Sequence, residues 1–353
     1  MKETFAHKKV LVTGHTGFKG SWMTTLLTHL GAEVVGYALS PATSPDLHSI
    51  IGEKQCAKSV IGDVRDIEKL RATILDFQPD FIFHLAAQPI VRTSYAIPID
   101  TFDINVMGTA NVLEAMRSLE KRCVAVMITT DKVYQNNETG QAYKETDPFG
   151  GYDPYSASKA AAEIVIDSYR NSFFNVANYS QHLKSVASAR AGNVIGGGDW
   201  AADRLVPDIV RALVAGSDVS IRNPKAVRPW QHVLEPLTGY LLLAKKMSEN
   251  PLDYNEGYNF GPYPADVATV GEMAEMALDI WGTGKLVFPE QVNQPHEAGL
   301  LRLDIEKAEK CLHWTPRWKA RKALEMTLKW YRAYYAGDDM LAFTLKQIEE
   351  YLS

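Results

Sequence analysis

The stretch Lys9-Val10-Leu11-Val12-Thr13-Gly14-His15-Thr16-Gly17-Phe18-Lys19-Gly20 decides the fold. An apolar run stops at a glycine, and a helical pattern follows from Ser21 to Leu30. Strand, glycine loop and helix in that order is the context in which glycines cradle a dinucleotide. Gly14 permits the tight turn, Gly17 lets backbone approach a pyrophosphate, and Gly20 allows the helix to pack closely on the strand. Thr16 and Phe18 share the loop. The helix start offers unpaired N–H groups and its positive dipole end to the phosphates. The spacing is GxxGxxG, not the commoner GxGxxG, and a plain strand-to-helix turn is the competing reading.

Downstream the same pattern repeats. Glu33–Leu39 reads as a second strand, but it runs into Ser40-Pro41 without a carboxylate for an adenosine ribose. No Arg or Lys cluster stands there for a 2′-phosphate either, so the reading leans to NAD. Ser59–Gly62 leads into Asp63-Val64, where the carboxylate can accept from an adenine amino group. Asp63 or Asp66 could equally cap the helix that starts at Ile67. Phe81–Ala87 is a fourth strand, and small Leu85-Ala86-Ala87 at its end let a flat cofactor lie across it. His84 reads as a packed core residue. Asn105 opens the helix Ala110–Leu119 and reads as a structural hydrogen-bonding group.

Alternation of strands and helices continues through Tyr155–Phe173 and Lys184–Ala191. It predicts an α/β fold, a Rossmann-type doubly wound parallel sheet. From Gly192 to Asp203 the chain turns glycine-rich and irregular. Pro207–Ala215 is helical, and later prolines cut the chain into short pieces. The expected organisation is a dinucleotide-binding domain over 1–190 with returns near 228–260. A smaller, irregular substrate-binding lobe over 191–330 follows, then a C-terminal helix over 331–353.

The chain has 353 residues, 46% hydrophobic and 22% charged, which is a soluble globular composition. A net charge of -5 gives no footing for a nucleic acid or an anionic membrane. No apolar run approaches the roughly 20 residues that span a bilayer. Cys56, Cys123 and Cys311 are odd in number and far apart, which fits a reducing cytoplasm. No His, Cys or carboxylate spacing suggests a metal.

The chemistry is expected where the apolar run Cys123–Ile128 ends in Thr129-Thr130-Asp131-Lys132-Val133-Tyr134. Next comes Tyr155-Ser156-Ala157-Ser158-Lys159, whose Tyr and Lys lie one helical turn apart on one face. A hydroxyl, a carboxylate, an amine and a phenol can then meet at one cleft. A bland alternative exists for each: a buried Tyr, a solvated Lys, a polar loop start.

Together the glycine loop, Asp63-Val64, Leu85-Ala86-Ala87 and Tyr155-x-x-x-Lys159 resemble the extended short-chain dehydrogenase/reductase family. The likeness runs to Trp314-Thr315-Pro316 and the last helix. Thr130-Asp131 resembles the nucleotide-sugar 4,6-dehydratases of that family, whose related 4-epimerases carry small residues there. Lys132 stands where most dehydratases have Glu. With Gln88 to Tyr95 and Pro295 to Ala298, it resembles the branch acting on CDP-glucose; the choice of cytosine rests on the resemblance alone.

That resemblance implies NAD-mediated oxidation at C4, loss of water across C5–C6, and reduction at C6. Tyr155 would be the base at the C4 hydroxyl, with its pKa drawn down by the Lys159 charge. Lys159 would also hold the nicotinamide ribose, and Thr130 would orient the C4 oxygen. Asp131 would be the acid at the C6 hydroxyl, protonated through burial. Lys132 would lose its charge by burial, act through water, or stabilise an enolate electrostatically. Asn193, Arg204 and Arg228 would hold the diphosphate, and Arg204 could instead be a helix cap. Asn259, His296 and Glu297 would reach the base or ribose, and Ser94 and Tyr95 would line the sugar pocket. A homodimer, with a tetramer as the alternative, would pair Thr101–Leu119 and Tyr155–Phe173 through Val112, Met116, Ile164 and Ile166, unless these pack in the core. Competing readings are a dTDP-glucose or GDP-mannose dehydratase, a 4-epimerase, and a non-catalytic cofactor binder.

Overall fold

Seven strands form one parallel sheet among the described residues, which are 1–52, 55–289 and 300–353 of this computed structural model. They are β1 (Lys9–Thr13), β2 (Glu33–Ala38), β3 (Lys58–Ile61), β4 (Phe81–His84), β5 (Cys123–Ile128), β6 (Lys184–Ala191) and β7 (Gly257–Phe260). Their order is β3-β2-β1-β4-β5-β6-β7. The order reverses between β1 and β4, which opens a crevice at the carboxyl ends of the strands. Every residue of β5 is buried, as a continuous apolar run requires in a sheet covered on both faces.

Strand alternation divides the core. Val10 and Val12 of β1 pack with Trp22 and Leu26 of α1 (Phe18–His29), while Leu11 points to the opposite cluster. That second cluster holds Leu70 and Ile74 of α2 (Ile67–Phe77) and Val112 and Met116 of α3 (Gly108–Arg117). Ile166 belongs to it too, on α4 (Pro154–Ser172). The expected subunit role for Val112, Met116 and Ile166 is therefore corrected: all three are fully buried in the monomer, and only Ile164, 59% exposed, faces outward.

Two glycines are required by geometry. Gly14 has φ +75°, and a Cβ there would lie 2.7 Å from the Ala86 nitrogen. A Cβ on Gly20 would lie 2.0 Å from the Gly14 carbonyl oxygen. Gly20→Ala should thus push α1 off the loop, costing about 1–3 kcal/mol by overpacking. Thermal unfolding should show the loss, and dinucleotide affinity should fall with it by calorimetric titration. An unchanged affinity would separate this close approach from binding.

Element ends refine the expectations. The Asp66 side chain accepts from the Lys69 N–H and so caps α2, while the Asp63 carboxylate accepts from Arg65 instead. β4 stops at His84, and Leu85–Ala87 continue as loop. His84 is buried against the hydroxyls of Thr13 and Thr109.

Beyond β6 the chain makes short pairs: Val194–Ile195 with Gln231–His232, Val227–Arg228 with Ala268–Thr269, and Val219–Ser220 with Leu286–Val287. Around them lie α5 (Leu205–Val214), α6 (Leu234–Glu249) and α7 (Val270–Trp281). α6 returns to cover β5 and β6, and β7 joins the sheet edge beside β6. The segment from 331 is not one helix. α8 (Ala320–Ala336) ends at Gly337, φ +82°, and α9 (Met340–Leu352) restarts with Asp339 accepting from two N–H groups. Among the described residues no helix is long and apolar enough to cross a membrane.

Candidate active site

β5 ends where the sheet meets the irregular lobe, and Thr130 turns the chain there. Its backbone is extended and its hydroxyl caps the short turn Asp131–Val133. α4 begins opposite, with Pro154 in its first turn and the Asp153 carboxylate accepting from the Ser156 N–H. These two starts bring Tyr155 to Thr130. Thr130 stands close enough to draw the Tyr155 phenol down, and both line one cleft. The Thr130 hydroxyl in turn donates to Asp131 Oδ1 at 2.9 Å. Phenol, hydroxyl and carboxyl therefore meet in one cleft wall, with the hydroxyl bonded to the carboxyl.

Asp131 is buried, and burial raises its pKa against the opposing pull of the Lys132 charge, the Thr130 hydrogen bond and Arg228. Its second oxygen, Oδ2, has no hydrogen-bond partner among the described residues. It lies beside Gly192, where a Cβ would come within 3.1 Å. A buried carboxyl with one unpaired oxygen in a cleft wall is most stable with a proton on it.

One expectation is corrected here. Tyr155 is pushed up to about 12, first by burial; Thr130 and Arg204 pull it down, while Asp131 and Asp153 push it up. Lys159 is absent from these causes. Its amine donates to the Ile128 carbonyl at 2.9 Å instead. One helical turn puts Tyr155 and Lys159 on one face, but an unpaired strand-end carbonyl claims the longer side chain. The cation acting on the phenol is Arg204. Burial also lowers Lys159 to about 8, and Glu163 opposes that shift.

Thr130, Asp131, Lys132 and Tyr155 line a cleft of about 540 Å³ together with Asn193, Arg204 and Arg228. Arg204 pairs with Asp199 at 2.7 Å and lines the cleft; it precedes α5, but its side chain makes no capping hydrogen bond there. Arg228 is buried and donates to the Val227 carbonyl. Lys132 is half-buried and also lines a second cavity of about 270 Å³.

Other expected residues lie elsewhere. Asn259 is fully buried on β7, its oxygen accepting from the Tyr134 hydroxyl and its nitrogen donating to the Tyr143 and Asp304 carbonyls. Its amide is consumed inside the protein and does not face the cleft. Ser94 is buried, donating to the Val91 carbonyl, and Tyr95 is exposed; the cleft wall is made by the residues just before them, Pro89 to Arg92. His296 and Glu297 lie outside the described residues.

Several cleft residues escaped the sequence reading. Lys19 donates to the Tyr240 hydroxyl at 3.3 Å, and burial pushes it down to about 7, with Arg204 and Lys159 adding to the shift and Asp131 opposing it. A lysine in the first turn after a glycine loop, on a helix otherwise buried and apolar, was the available signal. At the cleft mouth Asp203 pairs with Arg222 at 2.9 Å and with Arg92 at 3.6 Å. Nothing local in the sequence marks that cluster, because its members come from three separate segments.

The crevice between β1 and β4 fits a dinucleotide. Gly14 and Gly20 have no room for a side chain, whereas a Cβ on Gly17 would meet only the Gly14 carbonyl, at 3.4 Å. Gly17 is exposed and precedes the free N–H groups of the first turn of α1, at Phe18 onward. Thr16 ties the loop to β2 by donating to the Leu39 carbonyl at 2.8 Å. Leu85, Ala86 and Ala87 are half-buried along the crevice edge. Asp63 and Val64 follow β3, and the Asp63 carboxylate is paired with Arg65, whose hydrogen bond holds its pKa below the usual range.

A family model described as GDP-mannose 4,6 dehydratase matches residues 11–327. The chain belongs to that family. It is also 48% identical to a CDP-glucose 4,6-dehydratase of Salmonella typhimurium, over 100% of this chain and 98% of the relative. Among solved structures it resembles a dTDP-glucose 4,6-dehydratase from Streptomyces venezuelae, crystallised with NAD, at TM-score 0.76 and 24% identity, covering 94% of this chain and 99% of that one. A UDP-glucose 4-epimerase from Thermotoga maritima gives TM-score 0.77 at 20% identity, covering 93% and 99%. Dehydratases and epimerases share this fold, so the site must carry the distinction between them.

Proposed function

We propose that this protein is an NAD-dependent hydro-lyase that converts CDP-glucose to CDP-4-keto-6-deoxyglucose and water. The observation that carries the reading is Asp131: a buried carboxyl of raised pKa, one oxygen unpaired, bonded to Thr130 and sharing the cleft with Tyr155. An epimerase needs no acid there. The near-full-length relative supports the cytidine substrate.

Atoms balance within one pocket. The C4 hydroxyl loses its proton to Tyr155 and becomes a ketone. The C5 proton, now acidic, passes to a water in the cleft, and the C6 hydroxyl leaves as water on taking a proton from Asp131. C5 regains a proton when hydride returns to C6, and the proton held by Tyr155 makes good the one Asp131 gave. When bound, the nicotinamide takes the hydride from C4, returns it to C6, and adds positive charge that favours a phenolate. Thr130 orients the C4 oxygen. Lys132, half-buried and the leading counter-charge on Asp131, suits stabilisation of the C5 enolate better than proton abstraction by its own amine. Arg204, Arg228 and Asn193 hold the diphosphate, Arg204 also drawing down the phenol.

Incubation with CDP-glucose, dTDP-glucose, UDP-glucose and GDP-mannose tests the reading. Only CDP-glucose should lose one water by mass, and deuterium placed at C4 should reappear at C6. A product of unchanged mass with an inverted C4 would mean an epimerase. Failure with every nucleotide hexose would mean a binding protein.

The assembly is a homodimer in this reading, and the protein works in the cytoplasm. Ile99, Met107 and Ile164 are apolar side chains exposed near the start of α3 and on α4, and they suit burial against a second copy. Cys56, Cys123 and Cys311 are free thiols, consistent with a reducing compartment.

A further inference from the structure

Behind the cleft, α4 carries a third polar residue on the Tyr155–Lys159 face. Glu163 lies one further turn along and is fully buried. One of its oxygens accepts from the Thr129 hydroxyl and from Arg190 Nε at 2.9 Å. The other accepts from the Ser188 hydroxyl at 2.7 Å and from a second Arg190 nitrogen at 2.9 Å. Arg190 continues the network to the Tyr134 hydroxyl at 2.8 Å. A bidentate buried ion pair between β6 and α4 thus holds both ends of the segment Thr129–Tyr134 that bears Thr130 and Asp131. Replacing such a pair with apolar side chains is often neutral for stability, so folding alone does not account for it.

We propose that Glu163, clamped by Arg190, is a positioning residue for the redox half of the reaction: it fixes Thr129 at the strand end, next to the carbonyl that holds Lys159, and places a buried anion one turn from that amine. The catalytic consequence rests on the dehydratase reading above; the electrostatic one does not. The titratable groups around Lys159 are Glu163 and Tyr155, one turn to either side on its own helix, Lys19 on α1 and His84 on β4. Of these, Glu163 is the one that opposes the loss of the Lys159 charge. Lys19 and His84 are themselves lowered in part by that charge. Burial pushes Lys159 down, and without an anion one turn away the amine would give up its proton more readily.

The sign follows from linkage. A lysine depressed in the folded state gives up its proton on folding, so stability rises with pH between its folded and unfolded pKa values. In the natural protein that rise starts near 8, where Lys159 titrates. In Glu163→Gln it should start about one unit lower. The melting temperature of the protein without nucleotide or cofactor, followed from pH 6 to 9 as variant minus natural, reads this directly. Turnover of CDP-glucose should fall as well, with Glu163→Asp restoring it. Should Glu163→Gln not fold, the pair Glu163→Gln/Arg190→Met leaves no buried guanidinium uncompensated and must show the same displacement. A melting profile parallel to the natural one at every pH, with turnover lowered uniformly, would reduce Glu163 to a packing role and overturn the proposal. A displaced melting profile without any turnover on CDP-glucose would instead leave the electrostatic role standing and sink the substrate assignment.

Discussion

Tyr155→Phe is expected to lower turnover of CDP-glucose about 10³-fold, the upper part of the range for losing a general base. The substitution removes one oxygen. The ring stays packed, and Thr130 keeps its hydrogen bond to Asp131, so no buried donor is orphaned. Folding stability should change by no more than about 1 kcal/mol. The loss should fall on kcat with little change in KM, because Arg204 and Arg228, proposed to hold the diphosphate, are untouched. Deuterium at C4 should remain there, since oxidation is the first step. A phenol pushed up to about 12 cannot work at neutral pH unaided. Arg204 already draws the phenol down, and the charge of a bound nicotinamide would supply the rest. Arg204→Met should therefore shift the acidic limb of turnover upward, a change that loss of binding alone would not cause. If Tyr155→Phe kept turnover within about tenfold of the natural protein, the base would lie elsewhere in the cleft wall.

Much of this was legible in the sequence for identifiable reasons. The parallel sheet announced itself because β5 and β1 are continuous apolar runs and the glycine loop joins a strand to a helix. The pairing of Thr130 with Tyr155 follows from a strand end facing a helix start, which the topology fixes. Long polar side chains were misread more often. Lys159 reached for the Ile128 carbonyl, and Asn259 was drawn into the network around Tyr134. In both cases a buried hydrogen-bond partner distant in sequence outcompeted the expected role, and periodicity carries no information about such partners. Val112, Met116 and Ile166 illustrate the same limit for apolar residues: helical spacing places them on a face without saying whether a sheet or a second subunit covers it. Lys19 and Asp203 contribute through the field of several segments at once, which only the assembled cleft reveals.

Asp131→Asn should separate the two halves of the reaction. Asparagine keeps the shape and can still accept from the Thr130 hydroxyl, so oxidation at C4 should survive. It carries no transferable proton, so departure of the C6 hydroxyl should slow about 10²- to 10³-fold. The 4-keto sugar would then wait in the pocket with an acidic C5 hydrogen. In deuterated water, recovered CDP-glucose should carry deuterium at C5, because the ketone can exchange that hydrogen and be reduced back before water is lost. The natural protein should show little such exchange, since elimination follows enolisation promptly. Its pH profile should also differ. The acid must be protonated, so natural turnover should fall as pH rises through the raised Asp131 pKa, and the variant should lack that limb. Full turnover in Asp131→Asn would remove Asp131 as the acid and move the search to Lys132, the other polar side chain of that turn lining the cleft. Deuterium at C5 with water loss held back is the outcome that only an acid acting after oxidation explains.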